Sequence, residues 1–389
     1  MTSTRHAVIV ATARTPIGRA GKGSLRDERP DDLLAFAIRC AIDHVPGLPL
    51  AAIEDVIAGT ARPEQQQGFN IGRRAAMLAG LPETTPGATV SRFCASSLYA
   101  LRTAFHAIAA GEGDAYIACG VESVSRVTRA TGAEDRHPRL AGGPDALTNM
   151  YISMGLTAEN VARRYGIGRD EQDRFAQRSQ EHAVAAQDDG FFAAEISPYV
   201  TADGSVVSDD DSPRRGSTLE GLAQLEPAFA DNGTVTAGNA CPLNDGAAAV
   251  VLTSARLADE AGLRPLARIR SSAVAANEPE YMGVGPIPAI RAALSRAGAT
   301  TDDLSVIEIN EAFAAQVIPV CREVGVDPFD PRVNPYGGAI ALGHPFGMTG
   351  ARMVGTMLNG LERQDGELGL VTMCVAGGQG MALVVERAS

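Results

Sequence analysis

The C-terminal third of the 389-residue chain repeats the pattern of its first third. SVIEIN at 305–310 resembles DVIAGT at 55–60, and residues 55 and 305 are 250 positions apart. IRAAL at 290–294 matches IRCAI at 38–42 at nearly the same offset. Self-similarity that keeps its register predicts two fused structural halves facing each other across a pseudo-twofold axis. The chain is also longer than a single hydrophobic core usually supports.

Short apolar runs alternate with helical patterns in the first third of the chain. The predicted strands are HAVIVAT at 6–12, IEDVIAGT at 53–60 and DAYIACGVES at 114–123, and the last of these matches GLVTMCVAGG at 369–378 with a small gap. The predicted helices cover residues 30–45, 70–81 and 94–113. Strands that alternate with helices indicate an α/β fold.

The middle of the chain is more polar and interrupts the repeat. It contains an amphipathic helical pattern at 159–187 with one break near Gly166–Gly168. We therefore predict an inserted domain that lies over the α/β body. The predicted domains are an N-terminal half (1–121 with 242–265), a loop domain (122–241) and a C-terminal half (266–389).

Composition excludes several classes of protein. A net charge of −12 argues against a nucleic-acid-binding protein. No run of about 18 apolar residues predicts a membrane span, and the N-terminus is typical of a first strand rather than a signal peptide. Six cysteines in so long a chain do not form a disulfide framework, and no CxxC pair suggests zinc. We expect reduced thiols and a cytoplasmic protein without a bound metal.

Cys94 and His344 occupy corresponding places in the two half-repeats. Thr60 to Cys94 and Asn310 to His344 are both separations of 34 residues. If each half brings the same helix N-terminus to the axis, the two side chains meet there. Free N–H groups at such a terminus are expected to lower a thiol pKa and to stabilise an oxyanion. The alternatives are an inert buried cysteine and a packed histidine in a glycine-rich turn.

The segment NPYGGAIALGHPFGMTGAR at 334–352 surrounds His344 with five glycines. Glycine allows close backbone approach, so this segment is either a functional site or a tight packing joint. Two further candidate residues can also be explained by a purely structural role. Cys374 could be a core residue at the end of a strand, and Asn310 could cap a helix.

Seven motifs together resemble the thiolase family over the whole chain. They are VIVATARTPIGR, VSRFCASSL, MGLTAENVA, GTVTAGNACPLNDGAAAVVL, NEAFAAQ, NPYGGAIALGHPFGMTGAR and MCVAGGQG, in the order that the family has them. The resemblance implies duplicated α/β/α/β/α halves of five layers with an inserted loop domain. It also implies an acyltransferase that uses coenzyme A as a substrate and binds no permanent cofactor.

The resemblance implies roles for individual residues. Cys94 matches the cysteine that is acylated, His344 matches the histidine that activates it, and Cys374 matches the cysteine that shuttles a proton. Asn310 matches the residue that holds a water in an oxyanion hole. The N–H groups of Cys94 and Ala376 match a second hole. Small residues near His344 and Cys374 would then let a flat thioester reach both thiols.

The resemblance further implies that the loop domain binds CoA. The matching residues along the nucleotide and pantetheine path are Arg214, Phe229, Ala240 and Cys241. Those at the acyl end are Met154, Ala312 and Phe313. Arg214 or Arg215 could meet the CoA phosphates, or both could form a solvated surface. The family also implies a homodimer or homotetramer and allows a partner subunit of β-oxidation.

Three departures from the family pattern bear on the substrate. Ala376 replaces the usual Gly, Cys241-Pro242 replaces Ser-Gly, and Ser153 stands where short-chain members have His. The missing His and the GQG ending favour a degradative 3-ketoacyl-CoA thiolase. The alternatives are a biosynthetic acetoacetyl-CoA thiolase, a non-catalytic acyl-CoA-binding subunit and a cysteine hydrolase.

Overall fold

The computed structural model describes residues 6–127 and 135–388. Within that part of the chain the strands are β1 (Ala7–Arg14), β2 (Gly18–Arg19), β3 (Ile53–Gly59), β4 (Gly87–Val90), β5 (Ala115–Ser123), β6 (Tyr199–Val200), β7 (Val206–Val207), β8 (Asn244–Ser254), β9 (Ala267–Ala276), β10 (Val306–Ile309), β11 (Leu368–Val375) and β12 (Gln379–Arg387). The helices are α1 (Pro30–Asp43), α2 (Ile71–Leu78), α3 (Ser96–Ala110), α4 (Met154–Tyr165), α5 (Arg169–Asp188), α6 (Leu219–Ala223), α7 (Ala255–Glu260), α8 (Pro286–Ala297), α9 (Ala314–Glu323), α10 (Ala339–Leu342) and α11 (Thr349–Arg363).

One continuous sheet contains most of the strands, in the order β10-β11-β12-β9-β1-β8-β5-β3-β4. The two halves of this sheet meet where β1 pairs with β9, a contact between Val8 and Arg268 and between Ile9 and Ala267. On each side the pairing is the same: β3 is parallel to β5 as β10 is to β11, and β5 is antiparallel to β8 as β11 is to β12. This equivalence confirms the predicted duplication.

Helices cover both outer faces of the sheet and fill the space between its halves. The apolar side chains of α3 and α11 form a central core with both half-sheets, including Leu98 and Val354. A second core packs α1 and α2 on the outside of the N-terminal half-sheet, and a third packs α8 and α9 on the outside of the C-terminal one. The predicted five layers, α/β/α/β/α, are therefore present.

The polar middle of the chain forms helices that pack on the C-terminal half. The predicted helical break is confirmed, since α4 ends where Gly166 adopts a positive φ of 66° and α5 begins at Arg169. Phe175 of α5 belongs to the core that contains α8 and α9. Phe191 and Phe192 pack on α10, close to the glycine-rich segment. The boundaries of the loop domain stay a prediction.

The two central helices approach closely at their N-termini. The Ser97 amide at the start of α3 donates a hydrogen bond to the Gly347 carbonyl (3.2 Å), just before α11. The Ser97 hydroxyl in turn accepts one from the Ala351 amide of α11 (3.0 Å). Cys94 lies in the turn before α3 and His344 in the loop before α11. The duplication therefore brings these two side chains to one region, as the repeat predicts.

The glycines of segment 334–352 have a packing purpose that differs from the expected one. A Cβ atom added at any of them would lie 2.2–2.6 Å from a protein atom, closer than van der Waals contact allows. The segment is therefore a packing joint around His344. The positions and nearest atoms are Gly337 (Ala183 Cβ), Gly338 (Glu311 Cδ), Gly343 (Asn244 Cγ), Gly347 (Thr60 Cα) and Gly350 (Leu98 Cβ).

Replacing Gly347 with alanine tests the packing joint. The added methyl would meet the backbone of Thr60 at 2.6 Å and the Val121 carbonyl at 2.7 Å, and neither can rotate away. We expect Gly347→Ala to lower the free energy of unfolding by about 1–3 kcal/mol, measured as a fall in the thermal midpoint. Gly221→Ala is the matched control, because the nearest atom there is the Thr218 hydroxyl at 3.4 Å. Equal midpoints for the two variants would contradict the packing argument.

Candidate active site

Cys94 opens onto a cavity of about 360 Å³ that is lined by residues of both halves and of the middle of the chain. Met154 and Ala376, both predicted site residues, line the same cavity. The volume is many times the roughly 10–15 Å³ that one water needs on the same measure, so a ligand of several non-hydrogen atoms fits beside Cys94. The described residues that line the cavity are Ala61, Arg62, Glu64, Phe93, Cys94, Arg136, Tyr151, Met154, Phe346 and Ala376.

The environment of Cys94 raises its thiol pKa, contrary to the expected lowering. Burial raises the pKa of Cys94 to about 12, and the nearby Glu122 carboxyl adds to the rise. The backbone N–H groups of Cys94 and Ala376 lie within hydrogen-bonding reach of the sulfur and act in the opposite direction. Desolvation outweighs them, because a buried thiolate loses more from leaving water than two amides restore. Cys94 is therefore a neutral thiol at rest and needs a base.

His344 has the hydrogen bonds that such a base requires. Its Nδ1 lies 2.7 Å from the Thr349 hydroxyl, which itself donates to the Pro345 carbonyl at 2.9 Å. Because the Thr349 hydroxyl already donates its proton to the Pro345 carbonyl, it can only accept from His344. Nδ1 therefore carries the imidazole proton and donates a hydrogen bond to Thr349. The other nitrogen, Nε2, then has a lone pair. The Asn310 side-chain amide donates to it at 3.2 Å.

Both the charge state and the position of His344 are well defined. Burial lowers the pKa of His344 to about 3, with the Arg352 guanidinium contributing, so the imidazole is neutral at physiological pH. Its backbone N–H donates to the Asn244 side chain at 3.0 Å. The imidazole ring of His344 packs edge to face with the ring of Phe346, which lines the cavity beside Cys94. The imidazole is thus neutral and fixed, and its unprotonated Nε2 accepts a hydrogen bond from Asn310.

Asn310 does not cap a helix. The following helix, α9, has its N-cap at Phe313, and the Asn310 side chain turns to His344 instead. The Asn310 Oδ1 atom is buried and has no hydrogen-bond partner among the described residues. A buried amide oxygen without a protein partner is suited to hold a water.

Cys374 lies at the end of β11, and Asn310 directly follows β10, the strand that pairs with β11. The Asn310 N–H donates to the carbonyl of Thr372 (3.0 Å), two residues before Cys374. Cys374 is fully buried, and burial raises the pKa of its thiol well above the ordinary value. It lies close enough to Cys94 and Cys241 for a charge on any of the three to be felt by the others. The structure thus brings the predicted catalytic residues together.

Most of the predicted CoA-binding residues also converge. The Cys241 N–H donates to the Ala312 carbonyl at 3.0 Å, and Ala240 and Phe313 form the adjoining bridge. The rings of Phe229 and Phe313 pack edge to face with centroids 6.0 Å apart. Ala240, Ala312, Phe313, Cys374 and Met154 share one apolar cluster.

The two arginines of the loop domain differ in their surroundings. The Arg215 side chain pairs with Asp188. Arg214 is exposed, and its backbone N–H donates to Gln180 at 2.8 Å. It is not among the described residues that line the cavity. Unlike Arg215, Arg214 forms no ion pair with another residue in the described part of the chain.

Three residues that fix the positions of the candidate site residues were not identified from the sequence. Thr349 fixes the tautomer of His344, and Asn244 fixes its backbone. The buried Glu122 carboxylate accepts hydrogen bonds from the backbone N–H groups of Ala61 (2.8 Å) and Gly347 (2.9 Å). Only Thr349 left a signal in the sequence, as a hydroxyl five residues after His344 at the start of a helix.

Within residues 6–127 and 135–388, no group of three or more His, Cys, Asp or Glu side chains is placed to hold a metal ion. No helix in that part of the chain has the length and hydropathy needed to cross a bilayer. All six cysteines are free thiols.

Comparison with known families shows which family the chain belongs to. The model of the thiolase N-terminal domain matches residues 7–256, and the model of the thiolase C-terminal domain matches residues 263–387. The chain belongs to the thiolase family. The resemblance noted from its motifs is confirmed, and the protein is an acyltransferase with thiolase activity.

Relatives and a solved structure agree with this membership. A β-ketoadipyl-CoA thiolase of Pseudomonas aeruginosa is 45% identical, over 98% of this chain and 99% of its own length. A 3-ketoacyl-CoA thiolase of Cronobacter sakazakii is also 45% identical, over 98% and 99%. The crystal structure of the Bacillus anthracis acetyl-CoA acetyltransferase superposes with a TM-score of 0.91 at 38% identity and covers both chains completely. The thiolase fold extends over the entire chain.

The raised pKa of the Cys94 thiol predicts the pH dependence of its alkylation. A pKa of about 12 leaves little thiolate near neutrality, so the thiolate fraction grows about tenfold for each pH unit. We expect the rate of iodoacetamide labelling at Cys94, followed by mass spectrometry of its peptide, to rise steadily from pH 6 to pH 9. A plateau below pH 8 would show that the resting residue is a thiolate and would contradict the assignment.

Proposed function

We propose that this thiolase is degradative and cleaves 3-ketoacyl-CoA with CoA to give acetyl-CoA and a shortened acyl-CoA. The convergence of Cys94, Cys374 and the Asn310–His344 pair carries the chemistry of this proposal. The cavity beside Cys94 supports a substrate longer than acetoacetyl-CoA. Ser153 also supports it, because this residue caps α4 next to the cavity-lining Met154 where short-chain members have His.

In the first half-reaction His344 Nε2 takes the proton of the Cys94 thiol. The thiolate attacks the 3-keto carbon, and a C–S bond forms between them. The bond between C2 and C3 then breaks, and its electron pair remains on C2 as the enolate of acetyl-CoA. Cys374 donates its proton to C2, acetyl-CoA leaves, and the shortened acyl group stays on Cys94 as a thioester.

In the second half-reaction the Cys374 thiolate takes the proton of the CoA thiol. The CoA sulfur attacks the acyl carbon on Cys94, and the C–S bond to Cys94 breaks. The departing Cys94 sulfur recovers its proton from His344. All groups return to their starting protonation states, so each cycle converts one 3-ketoacyl-CoA and one CoA into acetyl-CoA and the shortened acyl-CoA.

Charge that develops on the reacting oxygens needs donors fixed in advance. We assign one set to His344 with a water on Asn310, whose buried Oδ1 has no partner among the described residues. The second set comprises the N–H groups of Cys94 and Ala376, which already point at the cysteine sulfur. The methyl group of Ala376 leaves its N–H available.

The remaining parts of the proposal concern binding and context. CoA would lie along Phe229, Ala240 and Cys241, with Arg214 at its phosphates, and the acyl group would pass Met154, Ala312 and Phe313. We also propose a homodimer or homotetramer in the cytoplasm, where six free cysteines stay reduced. A partner subunit of β-oxidation remains compatible with this function.

Substrate length tests the degradative assignment. We expect the pure protein to cleave 3-ketooctanoyl-CoA or 3-ketododecanoyl-CoA with a higher kcat/KM than acetoacetyl-CoA, because the cavity accommodates more than a methyl group. Thiolysis is followed by loss of the 3-ketoacyl-CoA absorbance after CoA is added. Activity confined to acetoacetyl-CoA would instead support the biosynthetic alternative.

Two cysteine variants test the assigned roles. Cys94→Ser should form no acyl-enzyme, because a serine hydroxyl is far less acidic than a thiol. Cys374→Ala should still be acylated at Cys94 but should turn over at least about 100-fold more slowly, in keeping with the usual effect of general acid–base catalysis. Intact-protein mass spectrometry detects the acyl group, and the thiolysis assay gives the rate.

Each outcome that contradicts these roles is distinct. Substantial turnover by Cys94→Ser would contradict the assignment of Cys94 as the nucleophile. A wild-type rate in Cys374→Ala would contradict the assignment of Cys374 as the proton shuttle. Cys119→Ala is the matched control, since Cys119 is a fully buried cysteine of the N-terminal half-sheet, away from the cavity.

A further inference from the structure

Three cavity-lining residues are suited to bind an anion and have no part in the reaction described above. They are Arg62, Arg136 and Tyr151, which come from separate segments of the chain and share the cavity with Cys94. Glu64 is the only acidic residue among the described lining residues, so the two guanidinium groups leave a net positive charge. This charge is unexpected in a chain with a net charge of −12.

The two guanidinium groups keep most of their hydrogen-bonding capacity. In the described part of the chain, Arg62 donates to the backbone carbonyl of Val127 at 3.5 Å, a long contact. Arg136 lies over the Tyr151 ring, 5.5 Å from its centroid. No carboxylate in that part of the chain forms an ion pair with either of them. An arginine beside a cavity that lacks a carboxylate partner is suited to bind a planar oxyanion in a bidentate manner.

Hydrogen bonds within the protein hold two of these three residues, Arg62 and Tyr151, in place. The backbone N–H of Arg62 donates to the buried Glu122 carboxylate at 3.3 Å, beside that of Ala61 at 2.8 Å. The Tyr151 hydroxyl accepts a hydrogen bond from the His137 N–H at 3.1 Å, which leaves its own proton for another acceptor. Preorganised donors lose less entropy when a ligand binds.

The position of the cavity indicates which part of a substrate meets these donors. The cavity reaches Cys94 and Met154, and the residues assigned to CoA, among them Arg214 and Phe229, do not line it. An anion bound there is therefore at the acyl end of the substrate. We propose that Arg62, Arg136 and Tyr151 bind a carboxylate at the far end of the acyl chain. The preferred substrates are then 3-ketoacyl-CoA thioesters of dicarboxylic acids, an inference that rests on the proposed function.

Matched substrate pairs test this inference with the full-length protein. 3-Ketoadipyl-CoA and 3-ketohexanoyl-CoA have the same chain length and differ in the terminal carboxylate, and 3-ketosuberyl-CoA and 3-ketooctanoyl-CoA form a longer pair. We expect the carboxylate to raise kcat/KM by about tenfold or more at one of the two lengths, since a charged hydrogen bond is gained. Equal values at both lengths would overturn the inference.

Variants identify the groups responsible. Arg62→Gln and Arg136→Gln should each lower the carboxylate-to-neutral ratio of kcat/KM by about tenfold, mainly through KM, and Arg62→Lys should retain part of the preference. Arg163→Gln is the matched control, because it removes an exposed arginine on α4 that does not line the cavity. Its ratio should equal that of the wild type.

The alternative outcomes separate three explanations. If the Gln variants lower kcat/KM equally for both members of a pair, the arginines do not select the acyl terminus and the inference is wrong. If they raise the KM for CoA itself, they contact CoA phosphates and the inference is also wrong. If the wild-type protein cleaves neither member of any pair, the proposed function fails, and this result is distinct from cleavage without a preference.

Discussion

The close approach of the two central helices is the contact on which the rest of the structure depends. Ser97 at the start of α3 exchanges hydrogen bonds with the backbone at Gly347 and Ala351, at the start of α11. Glycine permits this approach, because a side chain at Gly347 would collide with the backbone of the opposite half. Each half alone provides one helix start and one reactive group. Their contact joins two similar halves into one region, which holds Cys94 from the first half and His344 from the second.

Buried carboxylates stabilise the loops on which the reactive groups lie. Glu122 binds the backbone at Ala61 and Gly347, which belong to opposite halves. Glu311 accepts hydrogen bonds from Ser179 (2.6 Å), Asn334 (2.7 Å) and the backbone N–H of Ile340 (3.1 Å). Burial raises the pKa of both carboxyls, and the hydrogen bonds act against the rise. A buried carboxylate without such donors would be costly. The rigidity of the loops therefore depends on the completeness of these networks.

The sequence predicted the architecture more fully than the electrostatics of the candidate site. The duplication and the break between α4 and α5 follow from periodicity and glycine placement, whereas the five layers follow from the resemblance to the thiolase family. The lowered pKa predicted for Cys94 was wrong, because the loss of solvent around the thiol outweighs the two amides at the helix start, and that loss depends on the complete fold. The tautomer of His344 also depends on a contact, that with Thr349. The lining residues Arg62, Arg136 and Tyr151 come from distant segments, so no local pattern could have grouped them.

The pairing of β1 with β8 has a consequence for the order in which the chain is synthesised. Ala7 lies opposite Ser254, so β1 gains this neighbour only after nearly 250 further residues have been synthesised. The central layer forms later still, since α11 ends at Arg363. Until α11 packs against α3, Cys94 lacks the surroundings that raise its pKa. The thiol of the nascent chain is consequently an ordinary cysteine, and it acquires its raised pKa only after residues from both halves have been made.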